Sequence, residues 1–214
     1  TIGDDTCAVC AEEYGIPVIP VPTAGFLGGS FQDGMNNALR ALADIPSPCP
    51  PDGRINLIGE MNLEYEVREN SREVSRLLSL LGLSVNLHFV HDIAFSQLSR
   101  LGAARLNILR SPALIPVGEY LHDRFGTPFM PSFPHGLSDT LAFLEQVAAS
   151  CGIDGGSAIA SEKSRQDEMF VKDSGLNRSP VVLDRAHAGD DDLRAAGELA
   201  ARLGLPVSSD GNGH

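Results

Sequence analysis

Positive charge is scarce in this sequence. Its 16 Lys and Arg stand against 28 Asp and Glu, a formal net charge of -12. Binding to a nucleic-acid backbone rests on clustered Lys and Arg, and no basic stripe with interleaved aromatics appears, so that class of partner is excluded. Long apolar runs are also lacking. None approaches the roughly 20 residues needed to span a bilayer, and the N-terminal stretch has no charged segment followed by an apolar one, so the expected location is cytoplasmic. Cysteine is sparse: Cys7, Cys10, Cys49 and Cys151 are too few and too scattered for a disulfide framework. Cys7 and Cys10 form a C-x-x-C, a redox or metal pattern elsewhere, but no second pair at ligand spacing follows. They read as small half-buried positions in the first turns of a helix. Nucleotide-binding glycine signatures are missing as well. Thr23–Ser30 is Gly-rich and precedes a helix, yet it contains neither Gly-Lys-Ser/Thr nor G-x-G-x-x-G, and it reads as a packing turn rather than a phosphate cradle.

What is present is alternation. Hydrophobic residues make up 43% of the chain and charged residues 21%, the composition of a globular protein. A helix from Asp4 or Asp5 to Tyr14, ended by Gly15, precedes a short strand over Ile16–Val21 and a helix over Asp33–Ala43. Ile45–Gly53 holds four prolines and reads as a linker, with a domain boundary at 49–53. The chain then runs strand 55–59, helix 68–81, strand 83–87, helix 93–101, strand 105–109, helix 113–125, strand 127–130 and a helix from Ser138 to Ala149. That is the β-α-β pattern of an α/β domain with a mostly parallel sheet over 54–150. Gly82 and Gly126 stand where helix-ending glycines do. Arg72, Glu73 and Arg76 are expected to face away from the stripe Val74, Leu77, Leu78 and Leu81. Residues 152–168 are polar and poorly periodic, with no element expected. Pro180–Leu183 reads as a strand, Asp190–Asp192 opens a helix to Leu203, and Leu205–Val207 starts another strand.

Ligands of such sheets bind beyond the carboxyl ends of the strands. The runs Ile55–Asn62 and Leu106–Ser111 both end there in polar residues. Glu60, Asn62, Arg110 and Ser111 are therefore the candidate lining of a crevice for an anionic ligand, the alternative being that Glu60 and Arg110 pair or face solvent. His135, in a Pro-flanked loop before a helix N-terminus, is a further site candidate. His88 and His91 are three apart at a strand end, a placement that does not suit a shared metal, and His122 reads as surface. The Asp190–Asp192 run is most simply a complement to the helix dipole, with a divalent metal as the alternative. No metal ligand and no catalytic residue is assigned.

An ordered set of phrases resembles the nitrogenase component 1 type family, which includes molybdenum–iron protein chains, the cofactor-assembly scaffold pair and protochlorophyllide reductase subunits. The phrases are Ile2-Gly3-Asp4-Asp5, Gly15–Val21, Gly25-Phe26, Asn56–Asn62, the spacing from Arg110 to Phe125–Phe129, and Gly136–Thr140. The resemblance covers residues 1–150. It implies a Rossmann-like three-layer α/β/α domain over 54–150, flanked by the C-terminal part of a similar domain (1–48) and the start of a third (151–214), so a segment or a short relative. It implies an oxidoreductase subunit that positions an iron-sulfur or other iron-containing cluster in the full-length context, with no cofactor held by this chain alone. The partners implied are a homologous subunit or a second copy, and an electron-donating reductase. The family's cluster cysteine before Ile-Gly-Asp-Asp would lie upstream of Thr1, and its cofactor cysteine falls at Arg110, which cannot ligate iron. Phe31 and Met35 stand where the dinitrogen-reducing chain has a glutamine and a histidine, and neither relays a proton. The expected activity is thus not dinitrogen reduction. The alternatives are a non-catalytic scaffold for cofactor assembly and an iron-free module binding a small anion at Arg110 and Glu60. Incomplete flanking domains should leave apolar faces that favour an oligomer.

Overall fold

The computed structural model describes residues 2–16, 18–22, 28–61, 66–171, 181–182 and 189–208. The chain divides into two compact units, residues 1–75 with 83–132, and residues 76–82 with 133–214.

In the first unit, helix α1 (Ile2–Tyr14) is stopped by Gly15 at φ +65°. Residues 18–22 form no strand. Pro20 and Pro22 have no N–H to give to a ladder, which corrects the expected strand over 16–21. Helix α2 (Phe31–Ala43) starts at Ser30, whose hydroxyl accepts from the Asp33 amide while the Asp33 carboxylate accepts from the Ser30 amide, a reciprocal cap. Strand β1 (Ile55–Ile58) is followed by helix α3 (Val67–Leu80), whose last turn belongs to the second unit. Strand β2 (Val85–Phe89) leads to a 3-10 helix over Phe95–Ala103, where an α-helix was expected. Strand β3 (Leu106–Leu109), a short 3-10 turn (Pro112–Leu114), helix α4 (Ile115–Phe125) and strand β4 (Phe129–Met130) complete the unit.

The four strands are parallel in the order β2-β1-β3-β4. Ile55, Leu57 and Ile58 of β1 and Leu106, Ile108 and Leu109 of β3 are all buried, as expected of central strands covered on both faces. One face packs Ile58, Leu87, Phe89 and Leu109 with Leu39 and Ala43 of α2, Leu98 and Leu101 of the 3-10 helix, and Val117 and Leu121 of α4. A polar seam crosses this apolar sheet. The Asn56 amide donates to the Leu101 carbonyl and to Asn107 Oδ1, both at 2.9 Å, and Asn56 Oδ1 accepts from Asn86 at 2.8 Å. Asn86 also donates to the Arg100 carbonyl, and the Arg100 guanidinium closes back on the Asn86 carbonyl and side chain. Every buried polar group of the seam thus meets a partner.

The second unit holds α5 (Leu137–Ser150), α6 (Gly156–Val171) and α7 (Asp190–Arg202), with β5 (Val181–Val182) and β6 (Val207–Ser208) paired in parallel on either side of α7 in the chain. Helix α6 lies where no element was expected. Its buried stripe, Ala158, Glu162 and Gln166, has helical spacing but is mostly polar, so hydropathy does not reveal it. Glu162, 1% exposed, is held by Arg76 at 2.7 Å and Arg165 at 3.0 Å, and Gln166 donates to the Leu137 carbonyl. Arg76 therefore reaches inward to a buried carboxylate rather than away from the core. The amides of Leu137 and Ser138, which no residue of α5 satisfies, donate to the Glu198 carboxylate of α7. Among the described residues no helix is long and apolar enough to cross a membrane.

Candidate functional site

The carboxyl ends of β2, β1 and β3 lie side by side because Ile58 is in register with both Phe89 and Leu109. Gly59 makes the turn out of β1 at φ +96°, and a Cβ there would stand 2.1 Å from Cδ1 of Leu114. The chain can leave β1 this closely under Leu114 only as glycine. The turn carries Glu60 inward, to 2% exposure.

There Glu60 meets a residue of α3. The Ser71 hydroxyl donates to Glu60 Oε2 at 2.6 Å, and the Ser71 oxygen lies 3.4 Å from Nδ1 of His88 on β2. The His91 ring stands edge-on to His88, 6.1 Å between centroids, and His91 Nε2 is 3.5 Å from the Asp92 carboxylate. Burial, and then the neighbouring His91, push His88 below the ordinary histidine range, with Asp92 partly opposing them. Asp92 also lines an open apolar pocket of about 280 Å³ with Leu42, Val90, Ile93, Phe95 and Leu98.

Of the residues expected at the crevice, Glu60, Arg110 and Ser111 follow β1 and β3 at this edge. Glu60 does not face solvent: it is buried, and Ser71 binds one of its carboxylate oxygens. Arg110 is half-buried and its amide donates to the Ile58 carbonyl at 2.9 Å, continuing the ladder by one residue. Ser111 is half-buried and stands just before the turn Pro112–Leu114, its carbonyl accepting from the Leu114 amide. Asn62 lies outside the described residues. His135 is half-buried and belongs to the second unit, before α5. Phe31 is exposed on the first turn of α2, and Met35 packs against the core. Sequence reasoning passed over Ser71 because it sits in a polar stretch of α3. The signal was there: Val67, Ser71, Val74 and Leu78 share one buried face, and a serine on such a face needs a partner.

Iron–sulfur clusters are held mainly by thiolates. The thiols here are on α1 (Cys7, Cys10), in the loop after α2 (Cys49) and at the end of α5 (Cys151). The described carboxyl edge of the sheet offers carboxylate, hydroxyl, imidazole and guanidinium instead, a donor set that does not fit such a cluster. Among the described residues no group of three or more His, Cys, Asp and Glu side chains is placed to hold a metal ion.

The chain is 31% identical over 164 residues to a subunit of the light-independent protochlorophyllide reductase of Methylobacterium radiotolerans, covering 72% of this chain and 31% of that one. It is 36% identical over 156 residues to the nitrogenase iron-molybdenum cofactor biosynthesis protein NifE of Rhizobium meliloti, covering 69% and 32%. It thus spans about a third of the length of these relatives. The structure of nitrogenase Cp1 at pH 5 superposes with a TM-score of 0.63 over 95% of this chain and 42% of that chain, at 19% identity, a likeness of fold. The α/β fold with its parallel sheet is Rossmann-like, and the sequence matches the family of nitrogenase component 1 type oxidoreductases over residues 1–174. The chain belongs to the nitrogenase component 1 type oxidoreductase family.

Proposed function

We propose that this chain is a section of a nitrogenase component 1-like oxidoreductase subunit that positions a metallocluster for electron transfer. The observation that carries this reading is the family match over residues 1–174. In the proposed division, residues 54–150 are the central Rossmann-like domain, joined through 49–53 to the tail of a first domain and followed from 151 by the start of a third. Because the donors at the described sheet edge do not suit an iron–sulfur cluster, its thiolate ligands come from outside the described residues of this chain. Arg110, Ser111, Glu60 and Asn62 then serve as surroundings that bind or orient an anionic group, and His135 is a separate candidate in the second unit. The chain works in the cytoplasm with a homologous subunit or a second copy, and with a reductase that supplies electrons.

A second reading, a scaffold holding a cofactor during assembly, is favoured by the 36% identity to NifE and by the arginine at position 110. The test is iron and acid-labile sulfide content with a visible spectrum after anaerobic purification, on this chain and on one extended at both ends. Iron in the extended protein alone supports the proposal, and iron in neither overturns it. Bound cluster without substrate turnover selects the scaffold.

A further inference from the structure

A serine hydroxyl has one proton to give. At 2.6 Å from Glu60 Oε2, Ser71 gives it to the carboxylate, so the 3.4 Å approach to His88 is a hydrogen bond only if Nδ1 carries the proton and Ser71 accepts it. That leaves Nε2 of His88 bare. If Glu60 is protonated instead, the direction reverses along the whole chain: Glu60 donates to Ser71, Ser71 to Nδ1, and Nε2 holds the proton. The two states differ by one proton and by the direction of two hydrogen bonds, with no atom moved far.

We propose that Glu60, Ser71 and His88 form a proton-transfer route at the carboxyl edge of the sheet. A proton from an external acid (water or a buffer acid) enters at Nε2 of half-buried His88, the Nδ1 proton passes to the Ser71 oxygen, and the Ser71 proton passes to Glu60. Each of the three groups gains and loses the protons its chemistry allows, and the net result is one proton carried from the external acid to a buried carboxylate. Among the described residues, the groups against His88 are Ser71 on α3, which links it to Glu60 after β1, and His91 and Asp92 in the turn after β2. Arg100 is engaged on Asn86, two residues earlier on β2. The depressed proton affinity of His88 suits a relay, because a ring that kept its second proton would block passage. The inference stands on this geometry alone and does not depend on the cluster reading.

The test is nitrogen NMR of the imidazole rings in protein labelled with 15N-histidine, with His88 assigned by H88Q. The expected result near neutral pH is Nδ1 protonated and Nε2 bare. Both S71A and E60L should move the ring toward the Nε2–H tautomer that an unconstrained histidine side chain prefers. The expected change in ratio is about tenfold, the equivalent of one net hydrogen bond. S71T keeps the hydroxyl and should keep the wild-type tautomer, which a merely space-filling role of Ser71 would not require. An Nε2–H ring in the wild-type protein overturns the proposal, as does an Nδ1–H ring that survives S71A. If S71A fails to fold, the wild-type and E60L spectra decide alone.

Discussion

Replacing Asn56 by alanine should destabilise the first unit far more than its size suggests. Asn56 is fully buried and makes three hydrogen bonds, to the Leu101 carbonyl, Asn107 Oδ1 and Asn86 Nδ2. At about 1 kcal/mol net for each, their loss is about 3 kcal/mol. The Leu101 carbonyl and Asn107 Oδ1 are stranded as well, which raises the total to about 3–5 kcal/mol. Asn86 suffers less, since it still donates to the Arg100 carbonyl. A domain's whole stability is only about 5–15 kcal/mol, so N56A should leave the sheet marginal. The sharper test is N56L with N107L. Each alone strands a group of the other, but together they strand fewer than the two singles added, so the double variant should be less damaging than their sum by about 1–2 kcal/mol. Amide hydrogen exchange of β1 and β3 reads this unit separately from the other, which a global melt does not. A change below about 1 kcal/mol in N56A, or strict additivity in the pair, would refute the reasoning.

Three other outcomes are expected. G59A should destabilise by about 1–3 kcal/mol from its left-handed backbone and by more from the clash with Leu114; G59A with L114A should relieve the clash alone, as urea melts of both will show. R76A leaves Glu162 buried with only Arg165, whereas R76A with E162A removes the buried charge, so thermal melts should rank the double variant no worse than the single. Burial alone would raise the Glu198 carboxyl, but the Ser138 and Leu137 donors outweigh it and hold it below the usual carboxylate range. The unfolded chain then binds this proton first, so the contribution is present above the ordinary glutamate value and lost as pH falls through the lower folded value. E198Q should flatten that acid limb for the α5 amides in an exchange-versus-pH series.

The parallel core was legible because β1 and β3 are short apolar runs between amphipathic helices, and Gly82 and Gly126 do end helices, at φ +70° and +73°. The misses share a cause. Helix α6 buries Glu162 and Gln166, and Ser71 is buried beside Glu60, so each polar residue found inside had its partner on another element. Hydropathy treats such residues as surface; only their spacing gives them away. Glu60 was identified at the sheet edge, but Ser71 reaches it, and His88 reaches Ser71, through tertiary packing, which one strand's residues do not encode. In the stretch 18–22 the prolines at 20 and 22 carry more weight than the apolar residues beside them.

The strand order also dictates a sequence in time. Ile55 at the centre of the sheet pairs with Val85 on one side and Leu106 on the other, so the strand made first is the one that needs both later neighbours. On a translating ribosome Ile55–Ile58 emerges as a naked, mostly apolar segment, and closing the loops that partner it is slow relative to local helix formation. Arg54 on one side and Glu60 on the other place opposite charges at the two ends of that segment. Before the fold exists, these charges guard the nascent strand against pairing with another chain. Glu60 thus meets two demands at different moments: a solvated guard during synthesis, and a buried hydrogen-bond acceptor once the sheet has closed.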